Sequence, residues 1–313
     1  MKTIKIILST LLIFSLIGWA YYESKNIEVN RLTTELRVKQ GGTYAELSSG
    51  FTHFELSGNR NNELVVLVHG FSSPSYIWYP TEEFLINSGY QVLSYDLYGR
   101  GFSDRPDVIY GIDTFTKQLN ELLIYLKIRE PFHLLGLSMG GSIVTGFTHR
   151  HPKKVKSLIL QDPLVNQVPT EKISPLHIPF IGEYLFNVYL LPEYLKKHVN
   201  QTDKGEPYST WGDRYQEQAE IIGFKRGLLS SIRYVTTHDY ENEYLLLSKV
   251  TVPKLLIWGS DDQTIPISEA QSITHLMPEM QFETIQGAGH VPSLETPEKF
   301  NHILLQWLIN HKS

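Results

Sequence analysis

The chain of 313 residues is 42% hydrophobic and 19% charged, the composition of a folded protein with a sizeable core rather than a disordered one. Its formal net charge of −5, with no long Lys/Arg run, argues against nucleic acid as the main partner. The absence of cysteine excludes disulfides, thiolate catalysis, Cys-ligated zinc and a lipid-modified N-terminal cysteine.

At the N-terminus Lys2 and Lys5 precede an uncharged run, IILSTLLIFSLIGWAYY, from Ile6 to Tyr22. Its length falls between the ~7–15 residues of a signal-peptide core and the ~20 of a spanning helix. Trp19, Tyr21 and Tyr22 suit an interfacial aromatic belt, so residues 1–22 are expected to form an uncleaved membrane anchor. Gly18 and Ala20 leave cleavage as the alternative, giving a secreted or periplasmic chain. The lysines on the near side place the rest of the chain outside the cytoplasm. Residues 23–42 are polar, end in Gly-Gly and read as a connector.

Two kinds of segment then alternate. ELVVLVHG, QVLSYD, FHLLGLS, KSLILQD, KLLIWGSDD and MQFETIQG are short apolar runs ending in Gly, Asp or Ser, the pattern of strands buried on both faces of a parallel sheet. Between them lie helical periodicities. From Asp113 to Lys127, Phe115, Leu119, Leu122, Leu123 and Leu126 share a face, with Asp113 as the expected N-cap. Thr296-Pro297 is a helix start, followed by Phe300, Ile303, Leu304, Trp307 and Leu308 at helical spacing. The alternation predicts a doubly wound α/β fold with a mostly parallel sheet. Leu164 to about Ser248 breaks the rhythm, with several prolines, many aromatics and no strand signal, and reads as a helical insertion.

The run FHLLGL leads into Ser138 between Gly136 and Gly140, and MGGSIVTGFTHR follows with helical character. Gly-x-Ser-x-Gly can be an ordinary glycine-rich turn. At a strand-to-helix junction it also lifts a serine hydroxyl to the sheet edge, where a helix N-terminus stabilises negative charge. A serine nucleophile needs a base, and the base an orienting carboxylate. Of the 12 histidines only His290 lies in a Gly-rich loop after a late apolar run, GAGHVP. Asp261 and Asp262 both follow KLLIWGS, and Asp162 follows KSLILQ, so three aspartates compete for the acid. His69-Gly70-Phe71 ends an early run, and Gly70 permits a close approach that frees the Phe71 N–H to join the Met139 N–H as oxyanion donors. DLYGRGFSD lacks the third glycine of a dinucleotide cradle and reads as a structural turn over the site.

LVHGFSS, DLYGRGFSD, GLSMGG, WGSDDQTIP and GAGHVP, in this order, resemble the α/β-hydrolase superfamily over roughly residues 60–312, with spacing close to its serine esterases and monoacylglycerol-lipase-like members. The resemblance implies a core of residues 43–163 and 249–313 with a helical cap, 164–248, over the pocket. It selects Asp262, in the W-G-x-x-D-x-x-x-P pattern, as the partner of His290. It further implies ester hydrolysis of the monoacylglycerol-lipase type with no cofactor and no metal, and the aromatic, leucine-rich insertion suggests apolar acyl or aryl esters. Haloalkane dehalogenases and epoxide hydrolases look similar but carry an aspartate nucleophile, which Ser138 argues against. A C–C bond hydrolase, an amidase and a haloperoxidase-like enzyme would share the machinery. A non-catalytic binding protein on the same fold usually lacks triad members, and here all three are present. The implied partners are a small ester or lipid and a membrane reached through the N-terminal helix.

Overall fold

The six apolar runs become strands of one sheet in a computed structural model, which describes residues 2–201 and 211–312. The chain begins with α1 (Lys2–Ser24), none of whose residues is buried and which is long and apolar enough to cross a membrane. The connector that follows carries a short helix, α2 (Thr34–Gln40), capped by the Thr33 side chain, which accepts from the Leu36 N–H. It is also tied to the helical insertion. The Val29 and Asn30 N–H groups donate to Glu220 O, and Asn30 O accepts from the Ile222 N–H.

Eight strands lie in the order β1-β2-β4-β3-β5-β6-β7-β8. They are β1 (Thr43–Leu47), β2 (Gly50–Ser57), β3 (Leu64–Val68), β4 (Gln91–Tyr95), β5 (Phe132–Leu137), β6 (Val155–Gln161), β7 (Lys254–Gly259) and β8 (Gln281–Ile285). The first two form an antiparallel hairpin, β2 also runs antiparallel to β4, and every other pairing is parallel. This hairpin is absent from the sequence reading. Its residues, TYAEL and GFTHFELS, are only intermittently buried, so no continuous apolar run marks them.

The remaining helices are α3 (Tyr79–Asn87), α4 (Ile112–Tyr125), α5 (Met139–Arg150), α6 (Thr170–His177), α7 (Ile181–Leu185), α8 (Leu191–Gln201), α9 (Trp211–Ala219), α10 (Phe224–Tyr234), α11 (Tyr240–Ser248), α12 (Ala270–Leu276), α13 (Pro292–Glu295) and α14 (Pro297–Asn310). Alternate strand residues feed two cores. Val66, Val68, Leu134 and Leu158 pack with α4, α5, α11 and α12, while Val65, Leu67, Leu135 and Ile159 pack with α3 and α14. That period-2 division is why β3, β5 and β7 read as near-continuous apolar runs. MQFETIQG departs from the expected two-sided burial: β8 is the edge strand of the sheet, and Gln281 and Phe282 are exposed. The fold is therefore the expected doubly wound α/β architecture. The expected face of α4 is buried, but Gly111 is its N-cap, and Asp113 lies in the first turn and pairs with Arg150. Thr296 caps α14 as expected, although its hydroxyl donates to Pro292 O instead of capping an amide.

The described residues between β6 and β7 form helices joined by turns, with no strand among them. A separate apolar cluster joins α6 to α10 through Leu176, Phe186, Leu191, Tyr215, Phe224 and Leu228. The last helix of the segment, α11, packs instead on the sheet, with Tyr240, Tyr244 and Leu247 buried in the main core.

Candidate active site

The sheet order makes β3, β5, β6, β7 and β8 consecutive neighbours, so their C-terminal ends share one edge. After β3 the chain goes to β4 on one side, then to β5 on the other, creating the crevice where such sheets bind ligands. Gly70, Ser138, Asp162, Asp262 and His290 stand in the turns after these five strands.

Ser138 joins β5 to α5 with φ 54° and ψ −118°, a conformation that L-residues rarely adopt. The neighbouring glycines permit it. A β-carbon at Gly136 would lie 2.3 Å from Gly140 O, and one at Gly140 would lie 2.3 Å from Val68 O. The Ser138 N–H is held by Gln161 O at 2.9 Å. The serine is thereby fixed in a strained turn between three strands.

Its hydroxyl lies 3.0 Å from His290 Nε2, and His290 Nδ1 lies 2.7 Å from Asp262 Oδ2. A carboxylate only accepts, so Nδ1 carries the proton and Nε2 faces the serine as acceptor. Asp262 Oδ1 accepts from the Thr264 and Ile265 N–H groups at 2.7 and 3.0 Å, and its side chain is fully buried. Asp261 is exposed and its Oδ1 accepts from Ser260 Oγ at 2.7 Å, so the structure brings Asp262 rather than Asp261 to the histidine.

Asp162, the third candidate, also lies here. One of its oxygens accepts from the Gly259 N–H at 2.9 Å, and the other meets no partner among the described residues. Burial pushes its carboxyl well above the usual range. Asp162, Asp262 and His290 offer donor atoms within 4.8 Å of one another, but the Asp262–His290 hydrogen bond already occupies two of these groups.

The loop bearing His290 is braced by a carboxylate that the sequence reading missed. Glu295 accepts from the Gly289 N–H at 2.7 Å and the Val291 N–H at 3.0 Å, straddling the histidine. Gly259 packs on the same loop so closely that a β-carbon would lie 2.0 Å from Gly289 O. The signal for Glu295 was available only as spacing, a glutamate just before Thr296-Pro297.

Near Ser138, a β-carbon at Gly70 would stand 3.4 Å from the serine β-carbon, so the 70–71 backbone borders the hydroxyl. Met139 is the first residue of α5, so its N–H is one of the helix's free donors at the positive end of the dipole. Buried His69 fixes this corner. Its Nδ1 donates to Gly70 O at 2.9 Å and its Nε2 accepts from the Leu97 N–H at 2.9 Å, while burial lowers its pKa to about 4. Arg100, also buried, donates from Nε to Phe71 O at 2.8 Å and from Nη2 to Ser231 Oγ at 2.8 Å. It thus ties the Phe71 loop to α10. Within the DLYGRGFSD turn, Asp96 accepts from Ser75, from the Phe102 N–H and from His53, and these bonds brace its backbone.

A family model for the alpha/beta hydrolase fold matches residues 63–297. Curated relatives include proline iminopeptidase of Lactobacillus helveticus, 26% identical over 293 residues, which cover 83% of this chain and 95% of that protein. Lipase 3 of Moraxella sp. (strain TA144) is 27% identical over 286 residues, covering 87% of this chain and 84% of that protein. Among solved structures, a bacterial membrane phospholipase A superposes with a TM-score of 0.69 at 22% identity and covers 99% of both chains.

Proposed function

This chain belongs to the α/β-hydrolase family, and from that premise we propose that it is a serine hydrolase cleaving carboxylic esters through Ser138, His290 and Asp262. The observation that carries the reading is the continuous hydrogen-bonded path from Asp262 through His290 to a serine held in a strained turn. In this mechanism His290 Nε2 takes the hydroxyl proton as Ser138 Oγ attacks the ester carbonyl carbon. Asp262 holds the imidazole tautomer and the imidazolium that forms. The Phe71 and Met139 N–H groups bind the oxyanion, a contribution worth ~10²–10³ in turnover per donor. His290 then protonates the departing alcohol, and water, deprotonated by the same imidazole, releases the acid from the acyl-enzyme.

Residues 43–163 and 249–313 form the catalytic core in this reading, and 164–248 the cap. The Phe71 ring lies 5.7 Å from the Tyr194 ring of the insertion, so an aromatic contact joins the loop after β3 to the cap. That contact, with the lipase among the relatives, favours apolar acyl or aryl esters of the monoacylglycerol type. With α1 as anchor the catalytic domain stands outside the cytoplasm; cleavage of α1 is the alternative. A second reading, amide hydrolysis, rests on the equally similar iminopeptidase, since the same nucleophile serves both bonds. Labelling by a fluorophosphonate probe should be lost in Ser138→Ala, and p-nitrophenyl esters of rising chain length should be turned over. Equal labelling of both proteins overturns the nucleophile. No ester turnover alongside cleavage of aminoacyl amides moves the assignment to the second reading.

A further inference from the structure

Between α6 and α7 the chain exposes Ile178, Pro179, Phe180 and Ile181 in succession, with Phe180 88% accessible and Ile178 and Ile181 about half so. This tip is built, not loose. Phe180 has φ 65°, costly for an aromatic residue. The Gly182 N–H donates to Ile178 O and the Tyr184 N–H to Phe180 O, both within 3.0 Å. A β-carbon at Gly182 would lie 2.2 Å from Leu176 O, so the turn packs directly on the end of α6. Arg233 braces the base through Leu176 O and Glu183. A strained turn is thus held in a form that presents an aromatic ring to the outside.

The tip stands beside the end of α1. Tyr22 stacks on Tyr184, with ring centroids 6.3 Å apart, and its carbonyl accepts from Asn187 Nδ2 at 3.0 Å. The Lys225 ammonium lies 5.3 Å from the Tyr22 ring centre and donates to Asn26 at 2.7 Å. Phe180 and Tyr184 bracket one turn of α7, about 6 Å of helix rise. The tip, an apolar wedge, is therefore about one helical turn from Tyr184, the residue that meets the aromatic end of α1, the end that would mark the membrane–water boundary.

We propose that Ile178, Phe180 and Ile181 form a second, interfacial contact with the lipid bilayer that α1 enters, seating the helical insertion on the membrane. The inference rests on α1 being a membrane anchor and goes beyond it, because an anchor on a free connector would leave the insertion's orientation undefined. Here the end of α1 is held by Tyr184 and Asn187, just beyond the tip in the same insertion, so the surface that receives α1 lies within reach of the tip. An apolar substrate would then pass from the lipid to the insertion without crossing water.

The Cys-free sequence makes the test direct. Single cysteines introduced as Trp19→Cys, Phe180→Cys and Ile124→Cys in the full chain, labelled with an environment-sensitive fluorophore, are examined in phosphatidylcholine vesicles carrying shallow nitroxide lipids. The expected result is quenching at 19 and 180 and none at 124, which is exposed on α4. Quenching at 19 without quenching at 180 overturns the wedge and leaves the anchor. No quenching at 19 or 180 overturns both. A Phe180→Ser/Ile181→Ser double variant should lose about tenfold in turnover of a vesicle-embedded long-chain ester and nothing on a soluble acetate ester, as expected for an interfacial apolar anchor. Equal loss on both substrates would mean a structural role and overturn the proposal.

Discussion

The ends of β6 and β7 each carry an aspartate buried beside His290, and they are equipped in opposite ways. At the β7 end Asp262 receives His290 Nδ1 and two backbone amides. At the β6 end Asp162 receives a single amide and leaves one oxygen unpartnered among the described residues. A buried carboxylate survives as an anion only where donors replace the water it has lost. The Asp262 turn supplies them and the Asp162 turn does not, so burial drives Asp162 towards its neutral acid. The comparison teaches that the acid of such a triad is chosen by the backbone of the loop around it, not by distance to the histidine alone.

The strongest way to break the comparison is Asp262→Asn. The amide keeps the shape but cannot accept from Nδ1–H without reorienting, so the imidazole adopts the wrong tautomer. Turnover should fall ~10⁴-fold, as for the equivalent change in a serine protease triad. If Asp162 can take over as acid, the loss in steady-state kcat will be far smaller. Next in size is Gly259→Ala. Its β-carbon would sit 2.0 Å from Gly289 O and 2.5 Å from Ala288 O, so the His290 loop must retreat. A displacement on the ångström scale costs about 10²-fold in kcat, and thermal unfolding should show a lower Tm as well. Glu295→Gln is milder. The amide can accept from one of the Gly289 and Val291 N–H groups but presents a donor to the other. As Glu295 is exposed, a loss of about tenfold in kcat with KM unchanged is expected for a single neutral-for-charged hydrogen bond. A change confined to KM would mean that the brace does not position His290.

Much of this arrangement was legible in the sequence, for a physical reason. A strand buried on both faces reads as a near-continuous apolar run, so β3 to β7 announced themselves, and the candidate residues at their ends followed. The edge strand β8 is partly exposed and was marked only by its short run before a Gly-rich loop. Ser138 and His290 stood out because close backbone approaches require the glycines around them. The β1–β2 hairpin stayed hidden because its strands are only partly covered. Asp162, Asp261 and Asp262 could not be separated by residue type, since each follows an apolar strand. What distinguishes them is which amides the turn points inward, and that is a property of backbone geometry. Glu295 acts on main-chain atoms, which leave no side-chain pattern to pair with, and Arg100 divides its donors between main-chain oxygens and the distant Ser231 hydroxyl. The connector's bonds to Glu220 and Ile222 join residues far apart in sequence, so its polar composition predicted a linker but not its docking.

The smallest effect sharpens the contrast most. In the folded protein the pKa of Asp162 is raised, so folding takes up a proton that the unfolded chain releases near its ordinary value of ~3.9. The stability this residue contributes is complete below that pH and declines as pH rises towards the folded-state value. Asp162→Asn binds no proton in either state and keeps an oxygen for the Gly259 N–H. In the neutral wild type the acid O–H faces the Asp262 carboxylate, and an amide N–H is the weaker donor to that anion, so the variant should be the less stable protein near pH 4. Between pH 4 and 8 the gap should close, because only the wild type loses stability from this site. Thermal unfolding across that range should show the Tm difference shifting in the variant's favour by roughly 2–4 °C for each kcal/mol of linkage. A constant difference would place Asp162 among the anions, and the edge would then hold two charged carboxylates rather than one.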